Sequence, residues 1–289
     1  IRSRDRIEMT NSEFIVKPTE GLEEAPITYK RMLYQACQDE GVKLRFLSRN
    51  WVKHLEKNGQ VHFITGYKFD LNPHALGEII DDKYALFSVL KDAEVPIIEH
   101  AIVYRPDTDR SFAQGCNTID YVRNYWLAHG GDIVIKPNNG TGGRRIVRVR
   151  AEEELALALM KALGQSCSGS MCPFYKIRHE YRAVTLDNEV RLSYMKTLPD
   201  EISWKFNLQQ GSKSEDIPAE KLPKVTTLAK QTSEAIGLRF GSVDIIETEA
   251  GDFMVMEVNS GVMVSKFLKQ HPDRYPEIRA MFRDAIRKM

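Results

Sequence analysis

The sequence predicts an α+β protein in which groups of strands are followed by helices, without a regular strand–helix alternation. Segments 173–177, 180–186 and 189–196 follow one another closely and have the composition of β-strands. Two further strand-like segments lie near 239–248 and 252–259, on either side of a Gly-containing turn. The chain has 289 residues, which is long enough for one large domain or two ordinary ones.

An N-terminal α/β domain is expected over residues 1–80. Asn58-Gly59 predicts a hairpin, because these two residues accept the positive φ angles of a type I′ turn. The predicted elements of this domain are a helix over 27–40, a strand over 43–48 and the hairpin strands 51–57 and 60–65.

The remaining residues, 81–289, are expected to form a second domain of two subdomains. A helix follows Lys83, and Gly164 is placed to end another that begins at Glu152. Strands are predicted at 132–136 and 145–149, a helix from about 218 to Gly237, and helices near 262–269 and 275–288. The polar segment 199–217 is long for a loop and is therefore expected to be functional or mobile. We place the central subdomain at about 81–172 and the C-terminal subdomain at about 173–289.

Composition argues against several classes of protein. Lys and Arg number 41 against 40 Asp and Glu, so binding to nucleic acid through bulk positive charge is not expected. The sequence contains no run of eighteen apolar residues and no apolar segment near its start, so neither a membrane span nor a secretory signal is expected. Four scattered cysteines do not make a disulfide framework, and a cytoplasmic location is expected.

A glycine-rich turn lies between the two predicted strands of the central subdomain. Such a turn frees backbone N–H groups to face an anion, and Lys136 adds positive charge at its base. It has neither the Gly-Lys-Ser/Thr of a P-loop nor the glycine spacing of a dinucleotide-binding turn. A surface hairpin whose glycines satisfy only turn geometry is the alternative. The turn contains Asn138, Gly140, Thr141, Gly142 and Gly143.

Two acids are predicted to face each other near the C-terminal end of the sequence. If the turn centres on Ala250-Gly251, Asp244 pairs with Glu257, and Asn259 lies on the same face because strand side chains alternate. Facing carboxylates with an amide suit a hard divalent cation, which prefers oxygen ligands. Solvent-facing acids are the alternative, and a bulge at the turn would shift this register.

A third group of charges lies on the preceding strands. Alternation puts Glu180 and Arg182 on one face, and Lys196 belongs to a possible antiparallel neighbour. A salt-bridged sheet face is the alternative explanation. Together with the glycine-rich turn and the acidic pair, these cations suit a triphosphate and its magnesium.

These motifs, in this order over residues 81–270, resemble the ATP-grasp superfamily, whose fold has two α+β subdomains that grip ATP. Glu180-Tyr181-Arg182 is similar to the Asp-Ile-Arg of RimK-like carboxylate–amine ligases, and Trp204–Leu208 resembles the loop that returns an asparagine to their site. Residues 61–73 resemble cyanophycin-synthetase-like relatives. A few residues after the asparagine that corresponds to Asn259, the family usually has Pro-Gly, whereas this sequence has Ser260-Gly261-Val262-Met263 there. This departure leaves the identity of the acceptor open.

The resemblance implies a role for each matched residue. ATP would be bound by Lys83, Lys136, Asn138, Gly140, Thr141, Gly142, Gly143, Phe174, Tyr175, Lys176, Ile177 and Glu180. Metal ligands would be Asp244, Glu257 and Asn259, and the catalytic residues Arg182, Lys196 and Asn207. The implied cofactors are ATP and two Mg²⁺ ions, for which Mn²⁺ can substitute.

The leading hypothesis is therefore an ATP-dependent ligase that joins a carboxylate to an amine through an acyl phosphate. The expected partners are small-molecule or peptide carboxylates and amines, and a second copy of the chain in a homodimer, with no nucleic acid and no membrane. A kinase on the same fold and a non-catalytic nucleotide-binding regulator are the alternatives. Arg105, Arg110 and Arg178 are candidate anchors for an anionic substrate, with solvated surface charges as the alternative explanation.

Overall fold

A computed structural model describes residues 28–140, 144–164, 166–197 and 212–289. The chain forms two compact units, of which one runs to Leu71 and resumes at Gly261, and the other covers Asn72–Ser260. Both units combine helices with antiparallel sheets, so the predicted α+β class is confirmed. The expected domain boundary near residue 80 stays a prediction. Among the described helices, none is long and apolar enough to cross a lipid bilayer.

The described residues contain helices and strands that we number in chain order. The helices are α1 (Tyr29–Asp39), α2 (His74–Asp81), α3 (Lys83–Asp92), α4 (Arg110–Ala113), α5 (Ile119–Ala128), α6 (Leu155–Leu163), α7 (Leu222–Ile236), α8 (Ser265–Gln270) and α9 (Tyr275–Arg287). The strands are β1 (Lys43–Leu47), β2 (Val52–Lys57), β3 (Gln60–Thr65), β4 (Lys68–Phe69), β5 (Ala101–Tyr104), β6 (Ile133–Pro137), β7 (Val147–Val149), β8 (Ser168–Pro173), β9 (Ile177–Leu186), β10 (Glu189–Thr197), β11 (Lys213–Glu215), β12 (Phe240–Thr248) and β13 (Phe253–Asn259).

The first unit is a four-stranded antiparallel sheet in the order β1-β2-β3-β4, together with α1, α8 and α9. Asn58 and Gly59 have φ angles of 53° and 79°, which confirms the predicted hairpin turn. The aromatic ring of Phe282 on α9 lies edge-on to Tyr29 of α1 at 5.6 Å. The last helix of the chain thus packs against the first one described.

One sheet of the second unit has the order β5-β8-β6-β7 and shares an apolar core with α5 and α6. Its strand β8, with the sequence Ser-Gly-Ser-Met-Cys-Pro, replaces the strand predicted over 173–177, which is wrong. Glycine, serine and proline have low strand propensity, and here a central position between β5 and β6 overrides it.

The other sheet of the second unit has the order β11-β10-β9-β12-β13. One face of this sheet packs against α2, α3 and α7 around Tyr181, Val243 and Val255. Every residue of β12 is buried, so the opposite face of this strand is covered as well. Helix α7 ends where predicted, at Gly237, whose φ of 68° is the left-handed conformation that glycine accepts readily.

Candidate active site

Four adjacent strands place a row of charged side chains on the face that the core does not use. Arg182 on β9 lies opposite Asp244 on β12, and Asp244 lies opposite Glu257 on β13. On the other side, Lys196 of β10 lies opposite Glu180 of β9. Because side chains alternate along a strand, residues between them, such as Tyr181 and Val243, point into the apolar core instead.

The predicted pairing of Asp244 with Glu257 is confirmed, but the predicted route to it is wrong. The hairpin pairs Glu247 with Phe253, which is one residue out of the expected register, and Gly251 in the turn has a φ of 92°. A β-bulge at Met256 then restores the register before Glu257. The two one-residue shifts cancel. The bulge also explains why Val255 and Val258, three positions apart, are both buried in one core.

Asp244 is the centre of this row, and its side chain is fully buried. Arg182 donates two hydrogen bonds to it, from Nε at 2.7 Å and from Nη2 at 2.5 Å, and Lys196 donates a third at 3.0 Å. Burial raises the pKa of a carboxyl group, but the two neighbouring cations outweigh burial and lower the pKa of Asp244. The aspartate is therefore held in its charged form.

Glu180 is buried as well and accepts a hydrogen bond from the Lys196 ammonium group. Burial raises its pKa to about 7, because the attraction of Lys196 only partly offsets the loss of solvent and the nearby charge of Asp244. Lys196 thus links the acid on β9 with the acid on β12.

The chemistry of Asp244, Glu257 and Asn259 fits a hard divalent cation. The Nδ2 atom of Asn259 donates to Asp244 Oδ2 and to Glu257 Oε1, at 3.2 Å in each case. A 180° rotation of this amide would remove its bonds to both carboxylates and turn the amide oxygen to the same point, while Asp244 Oδ2 keeps its bond from Arg182. Among the described residues no group of three His, Cys, Asp or Glu side chains is arranged to hold a metal. The candidate site instead combines two acids with an amide.

Two lysines form the second part of the site, one on the other sheet and one on α3, which packs against the five-stranded sheet. Lys136 on β6 is buried and lies opposite Ser170 on β8. Lys83 at the start of α3 has a lowered pKa, chiefly because it is buried and also because Lys136 is close, while the charge of Glu257 acts in the opposite direction. The Lys83 ammonium group also donates to the backbone carbonyl of Asn138, the residue after β6, so α3 and the other sheet meet at this lysine.

His100 belongs to this cluster and was missed from the sequence. It is buried and lies 2.6 Å from the hydroxyl oxygen of Ser170 through Nδ1. Burial, followed by the charges of Lys136 and Lys83, lowers its pKa well below the ordinary value, so the imidazole is neutral. A single histidine directly before a strand carries no sequence signal that would have identified it.

The predicted adenine-binding segment, Phe174–Ile177, connects β8 to β9. The ring of Phe174 lies under the Arg148 guanidinium, 3.4 Å from its carbon atom, and Asp132 holds that guanidinium by bonds of 2.8 and 2.6 Å. The hydroxyl of Tyr175 accepts from the Glu99 N–H at 3.1 Å. These side chains therefore brace the connection, while Lys176 is exposed.

Several predicted residues lie apart from this cluster or outside the described part of the chain. Arg105 is paired with Asp107 at 2.9 and 2.7 Å, and Arg178 donates to the Glu249 carbonyl at 2.8 Å, so both have protein partners. The predicted residues that lie outside the described part of the chain are Thr141, Gly142, Gly143 and Asn207, together with the Arg110 side chain.

Known proteins similar to this chain share its fold. The tetrahydromethanopterin:alpha-L-glutamate ligase of Methanocaldococcus jannaschii is 33% identical over 144 residues, which are 47% of this chain and 47% of that protein. The match thus spans about half the length of this curated relative.

Two solved structures show the same fold at low identity. The D-alanyl-alanine synthetase A of Vibrio cholerae has a TM-score of 0.60 and 14% identity, over 88% of this chain and 92% of that one. The ATP-grasp ligase PsnB, complexed with minimal precursor, Mg and ADP, has a TM-score of 0.52 and 17% identity, over 73% and 60%. The implied ATP-grasp fold is therefore confirmed.

A family model described as the RimK-like ATP-grasp domain matches residues 81–272, which include Lys83, Lys136, the glycine-rich loop and the row of charged side chains. Because this match covers more than half of the sequence, the chain belongs to the RimK-like ATP-grasp domain family.

Proposed function

We propose that this chain is an ATP-dependent ligase that joins a carboxylate to an amine and releases ADP and phosphate. The observation that carries the proposal is the row of charged side chains in which Arg182 and Lys196 bond to the buried Asp244, next to Glu257 and Asn259. It combines fixed cations for a transferring phosphoryl group with oxygen ligands for a metal. A salt-bridged sheet face alone would not need the converging amide and second acid.

The metal site would consist of Asp244, Glu257 and Asn259. Magnesium bound there would neutralise charge on the triphosphate. The presence of two ions, and the substitution of Mn²⁺ for Mg²⁺, remain predictions. The similar ligase PsnB, which was solved with Mg and ADP, supports this choice of metal and nucleotide.

The nucleotide would lie between the two sheets of the second unit. Its phosphates would be neutralised by Lys83, by Lys136 and by backbone N–H groups of the glycine-rich loop. These N–H groups would include those of Thr141, Gly142 and Gly143. Glu180 would bind the ribose, and the backbone of Phe174–Ile177 would face the adenine. The side-chain contacts of Phe174 and Tyr175 within their own sheet support a rigid connection at this place.

The reaction would proceed in two displacements. A carboxylate oxygen of the substrate attacks the γ-phosphorus, the bond to ADP breaks, and ADP leaves with the electron pair. The amine then attacks the acyl carbon of the acyl phosphate, inorganic phosphate leaves, and the amine loses a proton. Arg182 would stabilise the charge on the transferring phosphoryl group, for which a fixed donor is typically worth about 3 kcal/mol. Lys196 and Asn207 are proposed to assist it.

The substrates are proposed to be an amino acid or peptide carboxylate and an amine. A glutamate ligase and a ligase solved with a precursor are among the similar proteins, which supports substrates of this class. The homodimer and the cytoplasmic location stay predictions.

The test is to incubate the chain with ATP, Mg²⁺ and each amino acid alone, in pairs and with short peptides. ADP and phosphate release are measured, and products are identified by mass spectrometry. We expect a condensation product with stoichiometric ADP, and a loss of at least about a hundredfold in Asp244→Asn. A phosphorylated product that needs no amine would identify a kinase, and nucleotide binding without turnover would identify a regulator.

A further inference from the structure

Asn138, the first residue of the glycine-rich loop, is almost completely buried and directs its polar groups to one helix end. It is 1% exposed. Its Nδ2 donates to Asp82 Oδ2 at 2.6 Å, and its Oδ1 accepts from the Tyr84 N–H at 3.2 Å. Its backbone carbonyl accepts from the Lys83 N–H at 3.3 Å. One loop residue thus bonds to three consecutive residues at the start of α3.

These bonds complete the first turn of α3. Asp82 is its N-cap: Oδ1 accepts from the Ala85 N–H at 2.8 Å, and its carbonyl accepts from the Leu86 N–H at 2.9 Å. With the two N–H groups bonded to Asn138, the first four N–H groups of the helix all have acceptors. A helix N-terminus with free N–H groups attracts phosphate. This one is used to hold the loop.

Lys83 connects the same helix end to the next part of the loop. Its ammonium group donates to the carbonyl oxygens of Asn138 and Gly140, at 3.1 Å in each case. A phosphate oxygen carries negative charge that a carbonyl oxygen lacks and attracts the ammonium group more strongly, so it can replace the Gly140 carbonyl. The bonds of Asp82 to Asn138 and Ala85 do not involve the ammonium group and can persist through this exchange.

We propose that Asp82 is a positioning residue for the nucleotide site. Through the Asp82–Asn138 clasp, the hydrogen bond between their side chains, it fixes both the start of the glycine-rich loop and the location of Lys83, without touching the nucleotide. This inference rests on the nucleotide site of the proposed function.

The direction in which nucleotide affinity changes when Asp82 is neutralised distinguishes the clasp from a simple effect of charge. Asp82 carries a negative charge close to the lysine that would bind a polyanionic triphosphate. If charge alone mattered, neutralising Asp82 would strengthen nucleotide binding. If the clasp matters, the same change weakens binding, because the loop and Lys83 lose their fixed position.

Asp82→Asn is the first variant to test. The Ala85 N–H and the Asn138 amide group bond to different oxygens of Asp82, and asparagine keeps only one of them, so one donor would face the new NH2 group instead of an acceptor. We expect the dissociation constant of the non-hydrolysable analogue AMPPNP with Mg²⁺, measured by titration calorimetry, to rise about tenfold. Asp92→Asn, at the other end of α3 on an exposed residue, removes the same charge and is expected to change it less than about twofold.

A swap of the two side chains provides the decisive comparison. Asn138→Asp alone places two carboxylates against each other and is expected to weaken AMPPNP binding as well. The double variant Asp82→Asn/Asn138→Asp restores one donor facing one acceptor at the unchanged net charge. We expect it to recover the affinity to within about threefold of the wild type, a coupling that a double-mutant cycle measures.

An unchanged or tighter AMPPNP affinity in Asp82→Asn would overturn the clasp, even if the melting temperature falls, because the effect would then be structural only. A double variant that binds no better than the single variants would overturn it too. The measurement needs neither acceptor nor carboxylate substrate. Wild-type protein that binds AMPPNP but forms no condensation product would overturn the ligase proposal, and the affinities would still decide the clasp.

Discussion

Arg182 and Asp244 face each other on adjacent strands, and the guanidinium group bonds to both carboxylate oxygens, at 2.7 and 2.5 Å. Lys196 donates one more bond to Oδ1, and Asn259 donates one more to Oδ2. A carboxylate has about four lone-pair sites, so Asp244 is fully bonded. A cation that binds Asp244 therefore shares it with Arg182, and the amide of Asn259 is the group that has to turn.

Arg182→Lys tests whether the fork shape of the guanidinium matters beyond its charge. Lysine keeps the positive charge but cannot make two parallel hydrogen bonds to Asp244. We expect kcat to fall by about tenfold to a hundredfold with little change in KM for ATP. Arg239→Lys, at an exposed pair with Asp187, is the matched control and is expected to keep full activity. Equal activity in both variants would contradict the proposed role of Arg182.

Asn259→Asp tests the convergence of three oxygen-bearing groups on one point. The substitution replaces a donor that bridges two acids with a third acid, so we expect a loss of about 1–3 kcal/mol in the free energy of unfolding without metal. Mg²⁺ binding to the folded state should recover it. The measurement is the melting temperature with EDTA and with millimolar Mg²⁺, for the variant and the wild type. A variant whose melting temperature does not respond to Mg²⁺ would argue against the metal site.

The main features of this site could be predicted from sequence because they depend on local patterns. Strand alternation places Asp244, Glu257 and Asn259 on one face, and it remains valid although the turn and the bulge each shift the register by one residue. Long-range contacts have no such pattern. The bonds of Asn138 to Asp82, and of His100 to Ser170, join residues 56 and 70 positions apart, and neither could be predicted.

Elements without a strong periodic pattern were missed for a related reason. Helix α2 is one of these elements, and it supplies Leu76 and Ile80 to the core. It is only eight residues long and follows Pro73 directly, so its apolar pattern covers barely two turns. Strand β8 has a sequence typical of a loop, and its neighbours make it a strand.

Because of Glu247, on the core side of β12, we expect the free energy of unfolding to depend on pH in the acid range. Its buried carboxylate accepts from the Tyr181 hydroxyl at 2.6 Å and from Lys221. Burial raises the pKa of Glu247, but these hydrogen bonds outweigh burial and lower it below the ordinary value of 4.5. The contribution of the charged group is therefore complete above about pH 4.5 and is lost as the pH falls through the lower value of the folded state.

Glu247→Gln is accordingly expected to lower the free energy of unfolding by about 1–3 kcal/mol at pH 7.5. The difference from the wild type should shrink at pH 3.5, because the wild-type carboxyl group is then increasingly protonated. Urea denaturation at both pH values measures this. A difference that stays the same at both would show that Glu247 contributes through packing and not through its charge.

Gly241→Ala tests the close approach of β12 and β13 beside the candidate metal site. A Cβ atom at Gly241 would lie 2.6 Å from the carbonyl oxygen of Asn259 and 2.8 Å from the Leu238 Cδ1 atom. The first contact is with the backbone, so β13 would have to move, and Asn259 would move with it. We expect a loss of about 1–3 kcal/mol in the free energy of unfolding, and a fall in activity larger than the stability loss explains.

Gly77→Ala on α2 is the matched control, since a Cβ there meets no described atom within 4 Å. It should raise stability by about 0.5–1 kcal/mol and keep full activity. If Gly241→Ala matches Gly77→Ala in both measurements, the two strands are not as close at Asn259 as a cation shared by Asp244 and Asn259 would need.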